Sequence, residues 1–109
     1  MRTAFNPLGV GDMAKDYIID YGNNSNGWYR KWKSGFIEQW GNILNGAVSN
    51  RTTVSLPISF SSTNYIIQTT GNSTTISTGE SWNYVTISSI NQFIASSRFG
   101  TFYWYACGY

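Results

Sequence analysis

Apolar and polar residues alternate along much of this chain, which is the pattern of half-buried β-strands. Residues 51–60, RTTVSLPISF, show it most clearly, because every second side chain toward the end of the segment is apolar. The apolar positions are Val54, Leu56, Ile58 and Phe60. Pro57 has no N–H group to donate to a strand ladder. We therefore expect this strand to lie at a sheet edge or to carry a bulge.

Similar patterns predict strands at residues 16–22, 28–33, 36–40, 64–70, 84–90, 92–95 and 101–107, giving seven or eight short strands in all. Residues 71–81 are polar and punctuated by glycine, and are predicted to form a long loop. Short strands at hairpin spacing predict an all-β domain, either an antiparallel sandwich or a barrel. Residues 1–15 lack the pattern and are predicted to be an arm or linker, leaving residues 16–109 for the β domain.

The dipeptide Ser34-Gly35, between the second and third predicted strands, suits a two-residue hairpin loop. Such a loop fixes the register and places Lys31 directly opposite Glu38. Opposite charges that face each other across a hairpin contribute roughly 0.2–1 kcal/mol, which favours this register. The sequence therefore predicts a Lys31–Glu38 pair.

In this register, tryptophan side chains lie on both faces of the hairpin. Trp28 shares one face with Arg30, and Trp40 shares the other with Lys31 and Lys33. Both faces are expected to be partly covered, one by the domain core and one by a partner. Because the basic residues are split between the faces, they do not form the continuous stripe that binds nucleic acid. We expect Arg30 to be structural and the lysines to be solvated.

Charge is sparse and unevenly placed in this chain of 109 residues. Charged residues make up 11% of it and aromatic residues 17%, and the net charge is +2. Beyond residue 51, only Glu80 and Arg98 carry charge. Interface cores are poor in charge and rich in Tyr, Trp and Phe, so we expect this half to associate with identical copies. We expect neither nucleic-acid binding nor membrane insertion, since the net charge is small and no apolar run approaches a span.

Catalytic and metal-binding side chains are few. The chain has no His and one Cys, Cys107, which argues against an imidazole base, a His-ligated metal or an internal disulfide. A glycosidase needs two carboxyl groups about 5–10 Å apart, one of them with a raised pKa. Lys31 would instead lower the pKa of Glu38, and Glu80 has no obvious second acid beside it. We therefore expect no catalysis, no metal and no cofactor.

Three segments resemble the C-terminal domains of phage and prophage tail-fibre proteins. Residues 27–41, GWYRKWKSGFIEQWG, are similar to that family's hairpin, in which W-Y-R-K leads through a turn into W-I-E-Q-G-G. Residues 53–60, TVSLPISF, and residues 102–109, FYWYACGY, are similar to the family's alternating strand and to its C-terminal segment. Phe36 stands where the family usually has Trp, and Trp40 where it has a small residue, so the local packing there is expected to differ.

The resemblance spans about residues 16–109 and implies both a fold and a function. It implies an antiparallel β-sandwich assembled as a homotrimer, at the tip of a virion's tail fibre and extracellular after release. There the domain would adsorb the phage to a host-cell surface glycan or outer-surface protein. Two other interpretations stay open. One is a free-standing bacterial lectin-like module, and the other is a purely structural trimerisation cap.

Candidate ligand-binding residues lie in the predicted long loop and at the start of the strand after it. They are Asn72, Glu80, Trp82, Asn83 and Tyr84. Aromatic rings stack against the C–H faces of sugars, and short polar side chains bond to sugar hydroxyls. Binding residues also concentrate on loops held by a rigid scaffold. Trp82 is about equally consistent with a core aromatic that starts the next strand. The turn at residues 23–26 is the second candidate.

Overall fold

A computed structural model describes residues 15–72 and 82–109 of the chain, and within these ranges it contains eight β-strands and no helix. The strands are β1 (Ile18–Asn24), β2 (Gly27–Trp32), β3 (Ile37–Ile43), β4 (Asn50–Ser55), β5 (Ile66–Gly71), β6 (Asn83–Ser89), β7 (Gln92–Ser97) and β8 (Phe102–Gly108). The predicted all-β class is confirmed. Most of the predicted arm and most of the predicted long loop lie outside the described residues. No helix suited to crossing a membrane occurs in the described part of the chain.

The strands form two antiparallel sheets. One has five strands in the order β1-β2-β3-β8-β5, and the other has three in the order β4-β7-β6. Phe93 on β7 meets Trp104 on β8 edge to face, with ring centroids 5.5 Å apart, so the two sheets pack against each other. The molecule is therefore a sandwich, as the sequence and the family resemblance led us to expect.

The core lies between the sheets and follows the period of two along each strand. On β8, for example, Phe102, Trp104 and Ala106 are buried while Tyr103 is exposed. Among residues 15–72 and 82–109, the buried apolar residues are Ile37, Val54, Leu56, Phe60, Tyr65, Phe93, Ala95, Phe102, Trp104 and Ala106. Burying such side chains contributes roughly 1.5–3 kcal/mol each, which makes this cluster the main source of stability.

The strand predicted at residues 51–60 is shorter than its alternation suggested. β4 ends at Ser55, two residues before Pro57, and lies at the edge of the three-stranded sheet. The edge position is thus confirmed, but the prediction that the strand continues to residue 60 was wrong. In place of a neighbouring strand, the buried side chain of Gln39 pairs with the backbone of Ile58, donating from Nε2 to its oxygen (3.0 Å) and accepting from its N–H at Oε1 (2.9 Å). The N–H of Leu56 itself donates to the oxygen of Asn91 (2.9 Å), and Leu56 stays buried although the regular ladder has stopped.

The loop between β2 and β3 has three residues, 33–35, and not the predicted two. The N–H of Trp32 donates to the oxygen of Phe36 (2.8 Å), and the N–H of Gly35 donates back to the oxygen of Trp32 (2.9 Å). Gly35 has φ +95°. A positive φ at the last loop residue is typical of three-residue hairpin loops, in which a type I turn is followed by a bulge. The extra residue moves the register by one.

The register shift changes which side chains share a face of the hairpin. Arg30, not Lys31, lies opposite Glu38, and Trp28 lies opposite Trp40. The predicted Lys31–Glu38 pair was wrong, and so was the distribution of tryptophan over both faces. Trp28, Trp40 and Trp32 all lie on the side of the five-stranded sheet that faces away from the core.

Candidate functional site

The outer surface of the five-stranded sheet, which we call the aromatic face, carries six of the described aromatic side chains that lie outside the core. Directly paired residues of antiparallel strands share a face, so the register shows its members. Its larger members are Tyr21, Trp28, Arg30, Trp32, Glu38, Trp40, Ile66, Tyr103 and Tyr105, and the smaller or polar side chains of Asn23, Asn42, Gln68, Thr70 and Cys107 share the face with them. Arg30 and Glu38 are the charged residues among them.

The carboxylate of Glu38 accepts hydrogen bonds from three side chains of the aromatic face, one of which, Arg30, neutralises its charge. Arg30 Nε lies 2.6 Å from Glu38 Oε1, and Trp32 Nε1 donates to the same oxygen at 2.8 Å. Tyr105 Oη donates to Oε2 at 2.5 Å. These bonds, led by that from Arg30, lower the pKa of Glu38 to about 2, while burial of the 9%-exposed residue opposes the shift. Desolvation and the neighbouring carboxylate raise the pKa of Tyr105.

Arg30 is also held between aromatic rings. Its guanidinium carbon lies 5.9 Å from the ring centroid of Trp32 and 5.5 Å from that of Trp40. Such cation–π contacts contribute about 0.5–1 kcal/mol at exposed sites. Arg30 is therefore the structural residue that we expected, although its partner differs from our expectation. A carboxylate with so low a pKa stays ionised and is unsuited to act as a general acid.

Beside this ion pair, an open groove of about 430 Å³ runs over the β1–β2 part of the aromatic face. Its walls include the rings of Tyr21, Trp28 and Trp40. Tyr21 is 78% exposed and Trp28 is about half exposed. The sequence analysis missed this groove because the predicted register placed Trp40 on the opposite face from Trp28.

The predicted ligand-binding residues that the structure describes lie together at the start of β6. Trp82 and Tyr84 stack with ring centroids 5.6 Å apart and planes inclined by 25°. Tyr84 is 68% exposed, and Trp82 is half-buried with its oxygen accepting a bond from the N–H of Arg98 (3.3 Å). The half-burial of Trp82 agrees with a core aromatic, and its stacking on the exposed ring of Tyr84 agrees with a ligand-binding residue.

Asn72 and Asn83 lie at this same end, where β5 stops and β6 begins. Nδ2 of Asn83 is 3.6 Å from where a Cβ on Gly71 would stand, next to Asn72. Both asparagines are half-buried, and the N–H of Asn72 donates to Thr101 (3.0 Å). Oδ1 of Asn83 is buried without a hydrogen-bond partner, so this atom is not offered to a ligand. Glu80 lies outside the described residues.

The second candidate, the turn at residues 23–26, uses its amides within the fold. Asn24 accepts from the N–H of Asn26 (2.8 Å) and donates to the oxygen of Pro57 (3.1 Å). These bonds anchor the β1–β2 turn to the segment that leaves β4. Among residues 15–72 and 82–109, no cluster of three acidic or sulfur side chains is suited to hold a metal ion.

The chain belongs to a family of tail-fibre proteins. Residues 31–109 match the family described as "tail fiber protein gp53-like, C-terminal", which is well over half of the chain. The resemblance seen in the hairpin and in the C-terminal segment is therefore confirmed, and the protein is a tail-fibre component of a phage particle.

Two solved structures share the fold. An N-truncated R2-type pyocin tail fiber aligns with a TM-score of 0.68 at 13% identity, over 86% of this chain and 37% of that one. A C-terminal part of the R2 pyocin fiber of P. aeruginosa aligns with a TM-score of 0.64 at 12% identity, over 86% of this chain and 26% of that one. This chain thus spans roughly a third of one and a quarter of the other. No curated protein sequence matches it significantly.

Proposed function

We propose that this domain assembles as a homotrimer at the tip of a tail fibre and adsorbs the particle to a glycan on the host-cell surface. It acts by binding, without catalysis. The observation that carries the proposal is the stacked pair Trp82–Tyr84, which exposes an aromatic surface at one end of a rigid sandwich. The family supports the tail-fibre part of the proposal.

Sugar recognition needs a flat apolar surface beside hydrogen-bonding groups. The exposed ring of Tyr84 offers the first, since the C–H face of a pyranose can lie flat on it. The side chain of Asn72, at the same end, supplies an amide for sugar hydroxyls. Two aromatic rings and one amide form a small contact area, so a single site is expected to bind weakly.

Trimerisation turns weak sites into stable adsorption. Three linked copies raise the effective concentration of the second and third sites, and avidity exceeds single-site affinity by roughly 10²–10⁴-fold. A homotrimer therefore does not require a deep pocket at the tip. This agrees with a site built from an exposed strand start rather than from an enclosed cavity.

Binding of labelled protein to bacterial cells and to arrays of bacterial surface polysaccharides tests the proposal. We expect Trp82→Ala and Tyr84→Ala to reduce cell binding at least about tenfold, the loss of roughly 1.4 kcal/mol per site. The matched control is Tyr109→Ala, because Tyr109 is also exposed but lies at the other end of β8. Each variant must keep the wild-type mass in light scattering and its thermal midpoint.

Other outcomes point to the alternative functions. Full adsorption by both variants would place the receptor site elsewhere on the domain. A single-copy protein that still binds sugar would be a lectin-like module. A trimer that binds no cell and no glycan would be a structural cap. Release of soluble oligosaccharide from a bound polysaccharide would contradict the absence of catalysis.

A further inference from the structure

The outer surface of the three-stranded sheet, which we call the polar face, carries two arginines beside the proposed binding site. The register places Tyr84, Ser96 and Arg51 in one row across the three strands. The N–H of Arg98 donates to the oxygen of Trp82 (3.3 Å), which continues the β6–β7 register by one pair and sets these two residues opposite each other. Paired residues share a face, and so do alternate residues along a strand. Both arginines therefore lie on the same face as the Trp82–Tyr84 pair.

The backbone of Arg98 is held from both sides. Its N–H bonds to Trp82, and its oxygen accepts from Oγ of Ser49 (3.3 Å), the residue before β4. The N–H of Ser49 donates to the oxygen of Ser97 (3.0 Å). Ser49 has φ +52°, a left-handed conformation that is uncommon outside glycine and persists where the surroundings fix it. The base of the Arg98 side chain is thus fixed next to the stacked rings, as a binding group on a rigid scaffold should be.

Neither arginine has a carboxylate partner among residues 15–72 and 82–109. The acidic residues in these ranges are Asp16, Asp20 and Glu38. Each of them accepts a hydrogen bond from a side chain in β2 or in the loop after it, at the far side of the larger sheet. Both charges described on the polar face are therefore positive.

The guanidinium of Arg98 is partly removed from water. Its carbon lies 5.0 Å from the ring centroid of Phe99, and Nη1 is buried without a hydrogen-bond partner. A cation that has lost water without gaining a counter-charge is costly, and the lower dielectric around it strengthens its attraction to an anion. Arg98 as a whole is half-buried, so part of it stays accessible. A planar guanidinium is suited to carboxylate and phosphate groups.

We infer that the glycan bound at the Trp82–Tyr84 end is acidic, and that its carboxylate or phosphate group pairs with Arg98. The inference rests on the proposed function and names the chemical class of its ligand. Diagonal neighbours on paired strands lie about 7–8 Å apart, so Arg98 is within reach of a sugar that stacks on Tyr84. The exposed Arg51, two strands or about 10 Å from Tyr84, adds a second positive charge for the next sugar along the chain.

Polysaccharide from a strain to which the wild type adsorbs tests this inference. It is used untreated, with its carboxyl groups reduced to alcohols, and dephosphorylated. We expect the wild type to bind the untreated form at least about tenfold more tightly than one of the treated forms, and that form identifies the anionic group. Arg98→Gln should lose about tenfold on the untreated form and nothing on the neutral one. The exposed Arg51 contributes less, so Arg51→Gln should lose up to about fivefold.

Two further variants separate a specific contact from general attraction. Lys31→Gln is the matched control, because Lys31 is exposed on the larger sheet and its removal lowers the net charge as much as each arginine variant does. It should bind like the wild type. Arg98→Lys keeps the charge without the planar fork and should fall between the wild type and Arg98→Gln. The thermal midpoint checks every fold, and Arg98→Lys and Arg51→Gln suffice for the test if Arg98→Gln does not fold.

Four results would overturn the inference and leave the proposed function intact, provided that Trp82→Ala still loses binding. They are equal binding of all three forms by the wild type, wild-type binding by the Arg98 variants, equal losses in Lys31→Gln and Arg98→Gln, and a preference for the acidic form that arises only in Glu80→Gln. The last would mean that an acid of the chain itself neutralises the site. A wild type that adsorbs to no strain and binds no polysaccharide would refute the proposed function and this inference together.

Discussion

Replacing Glu38 by Gln isolates the contribution of the charge buried in the aromatic face. Glutamine keeps the size of the side chain and one acceptor oxygen, but it removes the carboxylate that Arg30, Trp32 and Tyr105 share. Arg30 then keeps its charge without its partner. The expected result is a less stable domain at neutral pH, with an unchanged fold.

The magnitude follows from the pKa of Glu38, which lies at about 2 in the fold against 4.5 for an ordinary glutamate. Each pKa unit between the folded and unfolded states is worth about 1.4 kcal/mol, which gives about 3.5 kcal/mol at neutral pH. The side chain of Arg30 is 42% exposed, so water screens part of the interaction. We therefore expect Glu38→Gln to lower the free energy of unfolding by about 2 kcal/mol.

The sign of the pH dependence is fixed by the direction of the shift. Folding favours the ionised form of Glu38, so its contribution is complete above pH 4.5 and is lost as the pH falls toward about 2. The difference between wild type and Glu38→Gln should thus shrink through this window and be small at its acid end. Lys31→Gln serves as the control, because Lys31 is exposed and does not face Glu38.

Urea unfolding at a single protein concentration, repeated from pH 7 down to pH 2.5, measures this difference. A fixed concentration is needed because self-association would add to the apparent stability. A difference between wild type and Glu38→Gln that stays constant over the whole range would refute the reasoning. It would mean that the hydrogen-bond geometry, and not the charge, accounts for the effect of the substitution.

Two further substitutions test the core and the turn, each by urea unfolding. Tyr65→Phe removes the hydroxyl whose single proton lies within hydrogen-bond distance of the oxygens of Ser89 (2.7 Å) and Gln92 (3.0 Å). It should lower the free energy of unfolding by about 1–2 kcal/mol, and an unchanged midpoint would show that these carbonyls do not need the hydroxyl. Gly27→Ala should lower the free energy of unfolding by at least about 2 kcal/mol, because Gly27 has φ +142° and a Cβ there would collide with the backbone oxygen of Trp40. A wild-type midpoint for Gly27→Ala would require the β1–β2 turn to differ from the one described.

The alternation of side chains predicted all eight strands, but it did not predict the ladder at residues 56–60. Alternation records which side chains are buried, and burial continues at Leu56 and Phe60 after the backbone ladder has ended. The N–H groups of Leu56 and Phe60 donate to the backbone oxygens of Asn91 and Ile90, and Gln39 bonds to Ile58 between them. A side-chain amide that replaces a backbone partner does not change the alternation of apolar and polar residues, so the sequence pattern does not show it.

The hairpin register could not be decided from charge. A two-residue loop places Lys31 opposite Glu38, and a three-residue loop places Arg30 there, so both registers pair opposite charges. Glycine at position 35 does not decide between the registers either, because both loop lengths accept its positive φ. The aromatic face was missed for the same reason, because a shift of one residue moves every side chain to the other face.

The position of β8 has a consequence for how the protein is made. This strand is the last of the eight along the chain, yet it lies between β3 and β5, one place in from the edge of the larger sheet. The ribosome must therefore synthesise the chain through Gly108 before β5 can join the strands made earlier. Fragments that stop short of this point lack the strand that unites the sheet. A chain that ends before β8 therefore has no strand to join β5 to the rest of the larger sheet.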